Sequence, residues 1–281
     1  MEHRLRIGDR NVTLVSGPVG WGECSPFPGY PCDPAAAWAA AREAACDGWP
    51  EATRDTVAVN ALVDTPAIDP ASLAGYPAVK VKVGRREPHA DVELVAAVRD
   101  AIGPSVALRI DANGAWDVDT AADVITRLAV YDLELVEQPV ASLDDLARVR
   151  RRVNVPIAAD ESVRSVEDAR RLAASDAADA VVLKVQALGG VRRALRVADA
   201  AGVPAVVTSM RETSVGIAAG LALAAALPEL PYASGLAARM PGGDVVRDPL
   251  VPDHGLLRVR RVEPDLEMIA HYEVAGHEVR S

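Results

Sequence analysis

The sequence predicts an α/β protein whose larger part is a parallel (β/α)-barrel. Two observations favour this fold: short β-branched runs alternate with amphipathic helical stretches from about residue 56 onward, and there are eight such runs. Strands that alternate with helices form parallel sheets with right-handed crossovers. Eight such units within roughly 180 residues favour a closed barrel over an open, doubly wound sheet.

The predicted strands are short and apolar, and helices lie between them. The strands cover residues 56–62, 79–83, 106–110, 133–136, 156–159, 180–185, 205–209 and 231–234. Helical periodicity is found at residues 92–102, 120–131, 166–174 and 191–201.

Residues 1–55 break this rhythm and predict a small α+β segment. A possible strand at residues 11–15 is followed by a turn-rich stretch. The glycines of that stretch have the wrong order for a dinucleotide-binding loop. A helix is predicted at residues 35–46, because Asp33 suits the N-cap and Pro34 suits the first helical position.

The composition excludes several classes of protein. The formal net charge is −10 and no basic stripe is present, which argues against a nucleic-acid partner. Cys24, Cys32 and Cys46 match no zinc spacing and are predicted to be free thiols in a reducing compartment. No signal peptide opens the sequence, and the longest apolar run, at residues 215–227, is too short to cross a bilayer. We therefore expect a cytoplasmic protein with no membrane partner; a monomer fits the sequence, although the oligomeric state stays open.

The run at residues 79–83 alternates valines with Lys80 and Lys82. Alternation with period two predicts a strand with one apolar and one charged face. Two lysines on one face usually point into water. Here, however, later strand ends carry acidic residues and a third lysine, Lys184, which favours one common site for all of them.

Three of the predicted strands are followed by an acidic residue: Asp111, Glu137 and Asp160. In a barrel the carboxyl ends of the strands meet at one face, where active sites lie. Any one of these acids alone would be explained as a helix N-cap or a surface residue. Three converging carboxylates, however, would repel one another unless a cation lay between them. Hard oxygen ligands suit Mg²⁺, with Mn²⁺ as a substitute, so this is the predicted cofactor.

Lys82 and Lys184 are the predicted catalytic pair, because they come from opposite sides of an eight-stranded barrel. Lys80 is the neighbouring cation of Lys82, and a nearby positive charge lowers the pKa of a lysine toward the working pH. Such a lysine can remove a proton next to a carboxylate. A metal ion would stabilise the enediolate that results.

Five strand-end motifs occur in a fixed order: Lys-x-Lys at 80–82, Asp-Ala-Asn at 111–113, Glu-Gln-Pro at 137–139, Asp-Glu-Ser at 160–162 and Leu-Lys-Val-Gln at 183–186. Together they resemble the muconate-cycloisomerase-like branch of the enolase superfamily over about residues 56–240. The resemblance implies a modified (β/α)7β TIM-type barrel at residues 56–244, with a small α+β capping domain formed by residues 1–55 and about 245–281. It also implies that the three carboxylates bind Mg²⁺, that Lys82 is the acid/base and that Lys184 lies opposite.

Within this branch the sequence is most similar to the o-succinylbenzoate synthase family of the actinobacterial type. The similarity rests on residues 20–28, 183–190, 211–216 and 227–235. It implies a syn dehydration of 2-succinyl-6-hydroxy-2,4-cyclohexadiene-1-carboxylate, a small dianion, to o-succinylbenzoate in menaquinone biosynthesis. Members of this family usually begin with a full strand and a closing loop, so a reduced lid or an earlier start is expected here.

Several residues are predicted to bind substrate: Lys80, Arg109, Asn113, Ser209, Ser234 and Gly235. Arg109 shares a strand face with Asp111, so it could contact a substrate carboxylate or form a buried ion pair. Asn113 and Glu161 are expected to orient metal ligands and lysines. The two serines and the glycine could line the end of the site that takes the succinyl chain, or form only a strand-end turn.

Other reactions begin from the same enediolate, and the motifs leave them open: N-acylamino acid racemisation, dipeptide epimerisation and lactone cycloisomerisation. Residues 234–240 lack the Asp-x-Asp expected of dipeptide epimerases, and their Ser-Gly pair favours the synthase. A further alternative is an inactive barrel kept as a binding or scaffold protein. The presence of every expected catalytic residue disfavours that alternative.

Overall fold

The computed structural model describes residues 1–274, and its strands in that range are β1 (Glu2–Ile7), β2 (Arg10–Ser16), β3 (Trp21–Cys24), β4 (Thr56–Ala58), β5 (Asn60–Val63), β6 (Ala78–Lys82), β7 (Ala107–Asp111), β8 (Leu133–Glu137), β9 (Ile157–Ala159), β10 (Ala180–Leu183), β11 (Ala205–Val207) and β12 (Leu256–Arg258). Seven of them form one curled parallel sheet in the order β11-β10-β9-β8-β7-β6-β5. The prediction of an α/β fold with a parallel sheet is therefore confirmed.

Seven helices between residues 70 and 201 connect successive strands of this sheet, and ten α-helices occur in the described residues. They are α1 (Pro34–Arg42), α2 (Pro70–Leu73), α3 (Pro88–Ile102), α4 (Val118–Leu128), α5 (Leu143–Arg150), α6 (Val166–Ser175), α7 (Val185–Leu188), α8 (Val191–Ala201), α9 (Ser214–Ala226) and α10 (Leu266–Tyr272). Almost every residue of α9 is buried, which explains its continuous apolar sequence. Within residues 1–274, no helix has both the length and the apolar character needed to cross a membrane.

The pairing of neighbouring strands brings the predicted site residues to one edge of the sheet. Asp111 pairs with Lys82 on one side and with Glu137 on the other. The strands β9 and β10 end one residue before Asp160 and Lys184. Because parallel strands end at a common edge, all five side chains start from the same rim.

The predicted eighth strand, at residues 231–234, was wrong, because the structure has no strand there. Only Ser234 and Gly235 make backbone hydrogen bonds to the residues beside them in the sheet, and two residues are too few for a strand. The Asn60 N–H donates to the Ser234 carbonyl (2.9 Å), and the Gly235 N–H donates to the Val207 carbonyl (2.8 Å). This short segment therefore links the two edge strands, β5 and β11.

The N-terminal segment contains an antiparallel sheet of three strands, β1, β2 and β3, where the sequence indicated one possible strand. The charged face of β1 obscures its strand character, although Leu5 and Ile7 are buried. In the turn-rich stretch, β3 packs so closely on α1 that a Cβ at Gly22 would lie 2.0 Å from the Ala41 carbonyl oxygen. Asp33 caps α1 through its side chain, as predicted.

The described C-terminal residues return to the first half of the chain. β12 pairs with β4, so the predicted strand at residues 56–62 is two strands with different partners. The Val274 N–H donates to the Arg4 carbonyl of β1 (3.0 Å). Residues 275–281 of the predicted capping domain lie outside the described residues.

A buried carboxylate, Glu23, joins the N-terminal sheet to the start of helix α9. It accepts hydrogen bonds from the Ser25 hydroxyl (2.5 Å), the Thr213 hydroxyl and the Gly216 N–H (3.0 Å). Thr213 and Gly216 form the start of α9, so Glu23 faces the positive end of that helix. Burial nevertheless raises the pKa of Glu23.

Glu212 should make folding stability depend on pH. Burial and the charge of Glu23 raise the pKa of Glu212 from 4.5 to about 7. Between these values the folded chain holds a proton that the unfolded chain has lost, so stability should fall as pH rises, by roughly 3 kcal/mol from this group. Glu212→Gln should remove this part of the pH dependence.

Denaturant unfolding at about pH 5 and about pH 8 measures this effect. The exposed Glu229→Gln serves as the control and should keep the pH dependence of the unchanged chain. An identical pH dependence in Glu212→Gln would contradict the role given to Glu212.

Candidate active site

A cavity of about 570 Å³ opens at the rim where the parallel strands end. It collects every predicted site residue except Arg109 and Ser234; those that line it are Lys80, Lys82, Asp111, Asn113, Glu137, Asp160, Lys184, Ser209 and Gly235. The chain has only three lysines, and all three line this cavity. Since arginine stays protonated in proteins, every side-chain amine that could act as a base is concentrated here.

Lys80 lies between two of the carboxylates. Its Nζ is 3.0 Å from Asp111 Oδ2 and 2.9 Å from both carboxylate oxygens of Glu137. Although burial opposes the charge, Glu137 and Asp111 raise the pKa of Lys80, so it remains an ammonium. Burial and the charge of Asp111 raise the pKa of Glu137 to about 7. Against the effect of burial, Lys80 and Lys82 lower the pKa of Asp111.

Lys82 is held at the cavity by the last residue of β7, Asp111, and by Asn113 in the loop that follows. Its Nζ is 2.5 Å from Asp111 Oδ2 and 2.8 Å from Asn113 Oδ1. Asn113 in turn donates from Nδ2 to Glu161 Oε1 (2.9 Å). Asn113 adopts a φ of 47°, a conformation that asparagine tolerates better than most residues. Lys80 and Lys82 thus share one oxygen of Asp111.

Lys184 follows β10, four strands along the sheet from β6, and forms an ion pair with Asp160. Its Nζ also lies 4.3 Å from the centre of the Tyr30 ring. Burial opposes the charge of Lys184, but Asp160 and Glu137 raise its pKa, so it is a fixed cation. Burial raises the pKa of Asp160 despite this ion pair.

The three carboxylates have the donor chemistry of a divalent-cation site. Asp111 and Glu137 both contact the Lys80 ammonium, and Asp160 lines the same cavity. In the described part of the chain, no group of three or more His, Cys, Asp or Glu side chains is arranged to hold a metal ion as it stands. Lys80 and Lys184 instead supply the positive charge beside these acids. The carboxylate oxygens therefore fit a hard divalent cation by their chemistry, and ammonium groups lie beside them.

The outer wall of the cavity carries additional charge. Arg85 lines it with an exposed side chain, and Arg211 lines it while paired with Asp64. Ser209 and Gly235 line the same wall, where the Ser209 hydroxyl donates to the Gly235 carbonyl (3.2 Å). The wall thus offers two guanidinium groups that the sequence analysis did not select.

Arg109 and Ser234 lie outside this cavity, which corrects their predicted placement. The Arg109 guanidinium binds Glu134 (2.5 Å) and the Ala233 carbonyl (2.7 Å), and it lines a recess near the other ends of the strands. It therefore forms the ion pair that was the alternative prediction. Ser234 is fully buried, and its hydroxyl has no hydrogen-bond partner among the described residues. Its backbone makes hydrogen bonds to Ala58 and Asn60, and its side chain is not part of the cavity lining.

Two residues that sequence reasoning missed hold Asp160 in place. The Tyr30 hydroxyl donates to Asp160 Oδ1 (2.8 Å), and burial together with the Asp160 charge raises the pKa of Tyr30, so it stays a neutral donor. Gln138 Oε1 accepts from the Asp160 N–H (2.7 Å). The sequence indicated Gln138 only as the middle residue of the Glu-Gln-Pro motif and assigned it no role. Tyr30 could have been noticed as an aromatic residue in a turn-rich stretch, but nothing in the sequence ties it to a strand end.

Comparison with known proteins agrees with this geometry. Residues 67–264 match the family described as "Enolase C-terminal domain-like", and residues 1–45 match "Enolase N-terminal domain-like". An o-succinylbenzoate synthase of Thermobifida fusca is 56% identical over 96% of this chain and 89% of its own length. An o-succinylbenzoate synthase of Mycolicibacterium smegmatis is 45% identical over 96% of this chain and 86% of its own length.

Solved structures support the same fold. The muconate lactonizing enzyme from Pseudomonas putida aligns with a TM-score of 0.84 over 98% of both chains, at 22% identity. An isomerase from Streptomyces coelicolor aligns with a TM-score of 0.80 at 24% identity, over 96% of both chains. Identities this low establish the fold alone, whereas the sequence relatives are similar enough to establish the family. The chain therefore belongs to the enolase superfamily and, within it, to the o-succinylbenzoate synthase family.

Proposed function

We propose that this protein is a Mg²⁺-dependent lyase that performs a syn dehydration of 2-succinyl-6-hydroxy-2,4-cyclohexadiene-1-carboxylate to o-succinylbenzoate, a step of menaquinone biosynthesis. The observation that carries the proposal is the clustering of all three lysines with three strand-end carboxylates in one cavity. Membership of the o-succinylbenzoate synthase family supports the choice of substrate.

Lys82 is the proposed acid and base. As a neutral amine it removes the proton on the ring carbon that carries the carboxylate. The carbon–oxygen bond to the ring hydroxyl then breaks, and the Lys82 ammonium returns its proton to the departing oxygen, so that water leaves and the ring becomes aromatic. Asp111 and Asn113 hold the Lys82 nitrogen at the cavity and thereby fix the face from which it acts.

Lys184 is proposed to act as a fixed positive charge. Its Nζ is buried beside Asp160, and its raised pKa keeps it protonated. Such a charge stabilises the negative charge that develops on the substrate carboxylate as the proton leaves. Only one of the two facing lysines then exchanges protons with the substrate, which a syn elimination permits.

Asp111, Glu137 and Asp160 are the residues that would hold Mg²⁺, or Mn²⁺ in its place. When bound, the cation stabilises negative charge on the carboxylate oxygens of the substrate. The chain itself contributes the oxygen donors, and Asn113 and Glu161 help to keep the Lys82 end of the cluster in place.

The substrate is a dianion, and the cavity wall offers charge for its second carboxylate. Arg85 and Arg211 are our candidates for the succinyl carboxylate, with Ser209 and Gly235 beside them. We further propose that residues 231–235 close the parallel sheet into the modified (β/α)7β barrel, with residues 1–55 and about 245–281 as its cap. A cytoplasmic location and a monomeric state stay predictions.

Arg109→Met should weaken folding without affecting substrate binding. The substitution removes two hydrogen bonds of a buried guanidinium, which should cost about 1–3 kcal/mol in the free energy of unfolding. Urea unfolding measures the loss, and steady-state kinetics should give a KM within about twofold of the unchanged enzyme. A large rise in KM without any loss of stability would contradict this placement and indicate that Arg109 binds substrate.

The reaction is tested with purified protein and Mg²⁺ on two substrates, the hydroxycyclohexadiene dianion and an N-succinylamino acid. We expect rapid formation of o-succinylbenzoate, and any racemisation should be much slower. Racemisation without o-succinylbenzoate formation would instead assign an N-acylamino acid racemase. A dipeptide and muconate are then tested in the same way. If none of the four compounds is turned over, the inactive scaffold protein is the remaining alternative.

A further inference from the structure

We propose that Tyr30 is a positioning residue that sets the orientation of both Asp160 and Lys184 from the N-terminal segment. The inference rests on the proposed function, because it assigns a task within the same site. Tyr30 lies between β3 and α1, in the stretch that precedes the Asp33 cap. It is a residue of the N-terminal segment that contacts both a proposed metal ligand and a proposed catalytic lysine.

The contacts form a closed triangle of three side chains. The Tyr30 hydroxyl donates to Asp160 Oδ1 (2.8 Å), Lys184 Nζ binds Asp160 Oδ2, and the same Nζ lies 4.3 Å from the centre of the Tyr30 ring. Each oxygen of Asp160 therefore has a different donor. Rotation of the carboxylate would break both contacts, so the triangle restricts Asp160 to one orientation.

The two parts of the tyrosine do different work. The hydroxyl is a neutral hydrogen-bond donor. It therefore orients the Asp160 carboxylate without neutralising its negative charge. The ring face attracts the Lys184 ammonium, whose Nζ lies 4.3 Å from the ring centre. The hydroxyl should therefore matter for metal binding, and the ring should matter for the placement of Lys184.

Two substitutions separate these parts. Tyr30→Phe removes the hydrogen bond to Asp160 and keeps an aromatic face over Lys184, whereas Tyr30→Leu removes both. A residue that supports a metal ligand typically contributes about tenfold or more to metal affinity. We expect Tyr30→Phe to bind Mn²⁺ about tenfold more weakly, and to recover most of its kcat at saturating Mn²⁺. Tyr30→Leu should bind Mn²⁺ equally weakly and keep a kcat roughly tenfold below that of Tyr30→Phe at saturating Mn²⁺.

The experiment combines Mn²⁺ titration by calorimetry with steady-state kinetics on the full chain. Cys32→Ser is the matched control, because Cys32 lies in the same stretch and its thiol, within residues 1–274, makes a hydrogen bond only to the Asp33 carbonyl, away from Asp160 and Lys184. The thermal midpoints should agree among all four proteins, which excludes loss of folding as the cause. The calorimetric arm needs no turnover, so it tests Tyr30 even if the enzyme fails to form o-succinylbenzoate. Unchanged Mn²⁺ affinity in Tyr30→Phe, or equal kcat in the two variants at saturating Mn²⁺, would overturn the proposal.

Discussion

Replacing Lys82 with alanine should abolish formation of o-succinylbenzoate, with a loss in kcat on the order of 10³-fold. The reason is that Lys82 is assigned both proton transfers of the dehydration. The two other lysines are fixed as cations beside Asp111, Glu137 and Asp160. The same substitution should stop exchange of the substrate proton with deuterium from solvent. Product formation and exchange are measured on the same protein sample.

Lys82→Ala is expected to fold normally, because Asp111 keeps a second cation in Lys80 at 3.0 Å. A thermal midpoint near that of the unchanged enzyme provides the control. If Lys82→Ala forms product at nearly the rate of the unchanged enzyme, the base is another group.

Removal of divalent metal should eliminate turnover while leaving the fold intact. The three carboxylates carry the proposed metal, and Lys80 and Lys184 already balance much of their charge without it. Activity should therefore vanish after dialysis against chelator and return with Mg²⁺. Asp111→Asn should lower metal affinity strongly, because it removes a charged oxygen ligand. Full turnover in excess chelator would count against the site.

The three lysines offer a direct second readout of this metal site. Labelling with nitrogen-15 lysine gives only three side-chain signals, and all of them arise in the cavity. Because Lys80 and Lys184 contact the proposed ligands, their signals should move when Mg²⁺ is added to chelator-treated protein. Signals that do not respond to Mg²⁺ would place any bound metal elsewhere.

The strand-end residues were predictable because the strands of a parallel sheet all end at the same edge. Once residues 79–83 and 106–110 are adjacent strands, Lys82 and Asp111 must emerge at the same rim, and their pairing in the sheet agrees. The family resemblance read from these motifs is confirmed by relatives of 45% and 56% identity. The metal and catalytic roles of the residues stay predictions.

Alternation alone could not place Arg109. It shares a strand face with Asp111, but it starts two residues further from the rim, and its long side chain reaches Glu134 and the Ala233 carbonyl instead. The strand pattern determines on which face of the sheet a side chain starts. The position of the arginine guanidinium depends in addition on hydrogen-bond partners from other parts of the chain. The sequence pattern does not encode those partners.

Contacts between the N-terminal segment and the parallel sheet were also beyond sequence reasoning. Tyr30 is hydrogen-bonded to Asp160, 130 residues away in the sequence, and Glu23 is hydrogen-bonded to Thr213, 190 residues away. Such pairs follow no local period, so only the folded arrangement brings them together. The same holds for residues 231–235, which link two edge strands through isolated bridges rather than as a strand of their own.

The most direct test of the account is the same substitution at both facing lysines. Lys82→Arg and Lys184→Arg each keep the positive charge and remove the titratable amine. If Lys82 alone transfers protons and Lys184 supplies only charge, Lys184→Arg should retain measurable o-succinylbenzoate formation, at least about tenfold faster than Lys82→Arg. Both rates are measured at saturating Mg²⁺ on proteins with matching thermal midpoints. Equal loss in the two variants, or a greater loss in Lys184→Arg, would contradict the one-base mechanism.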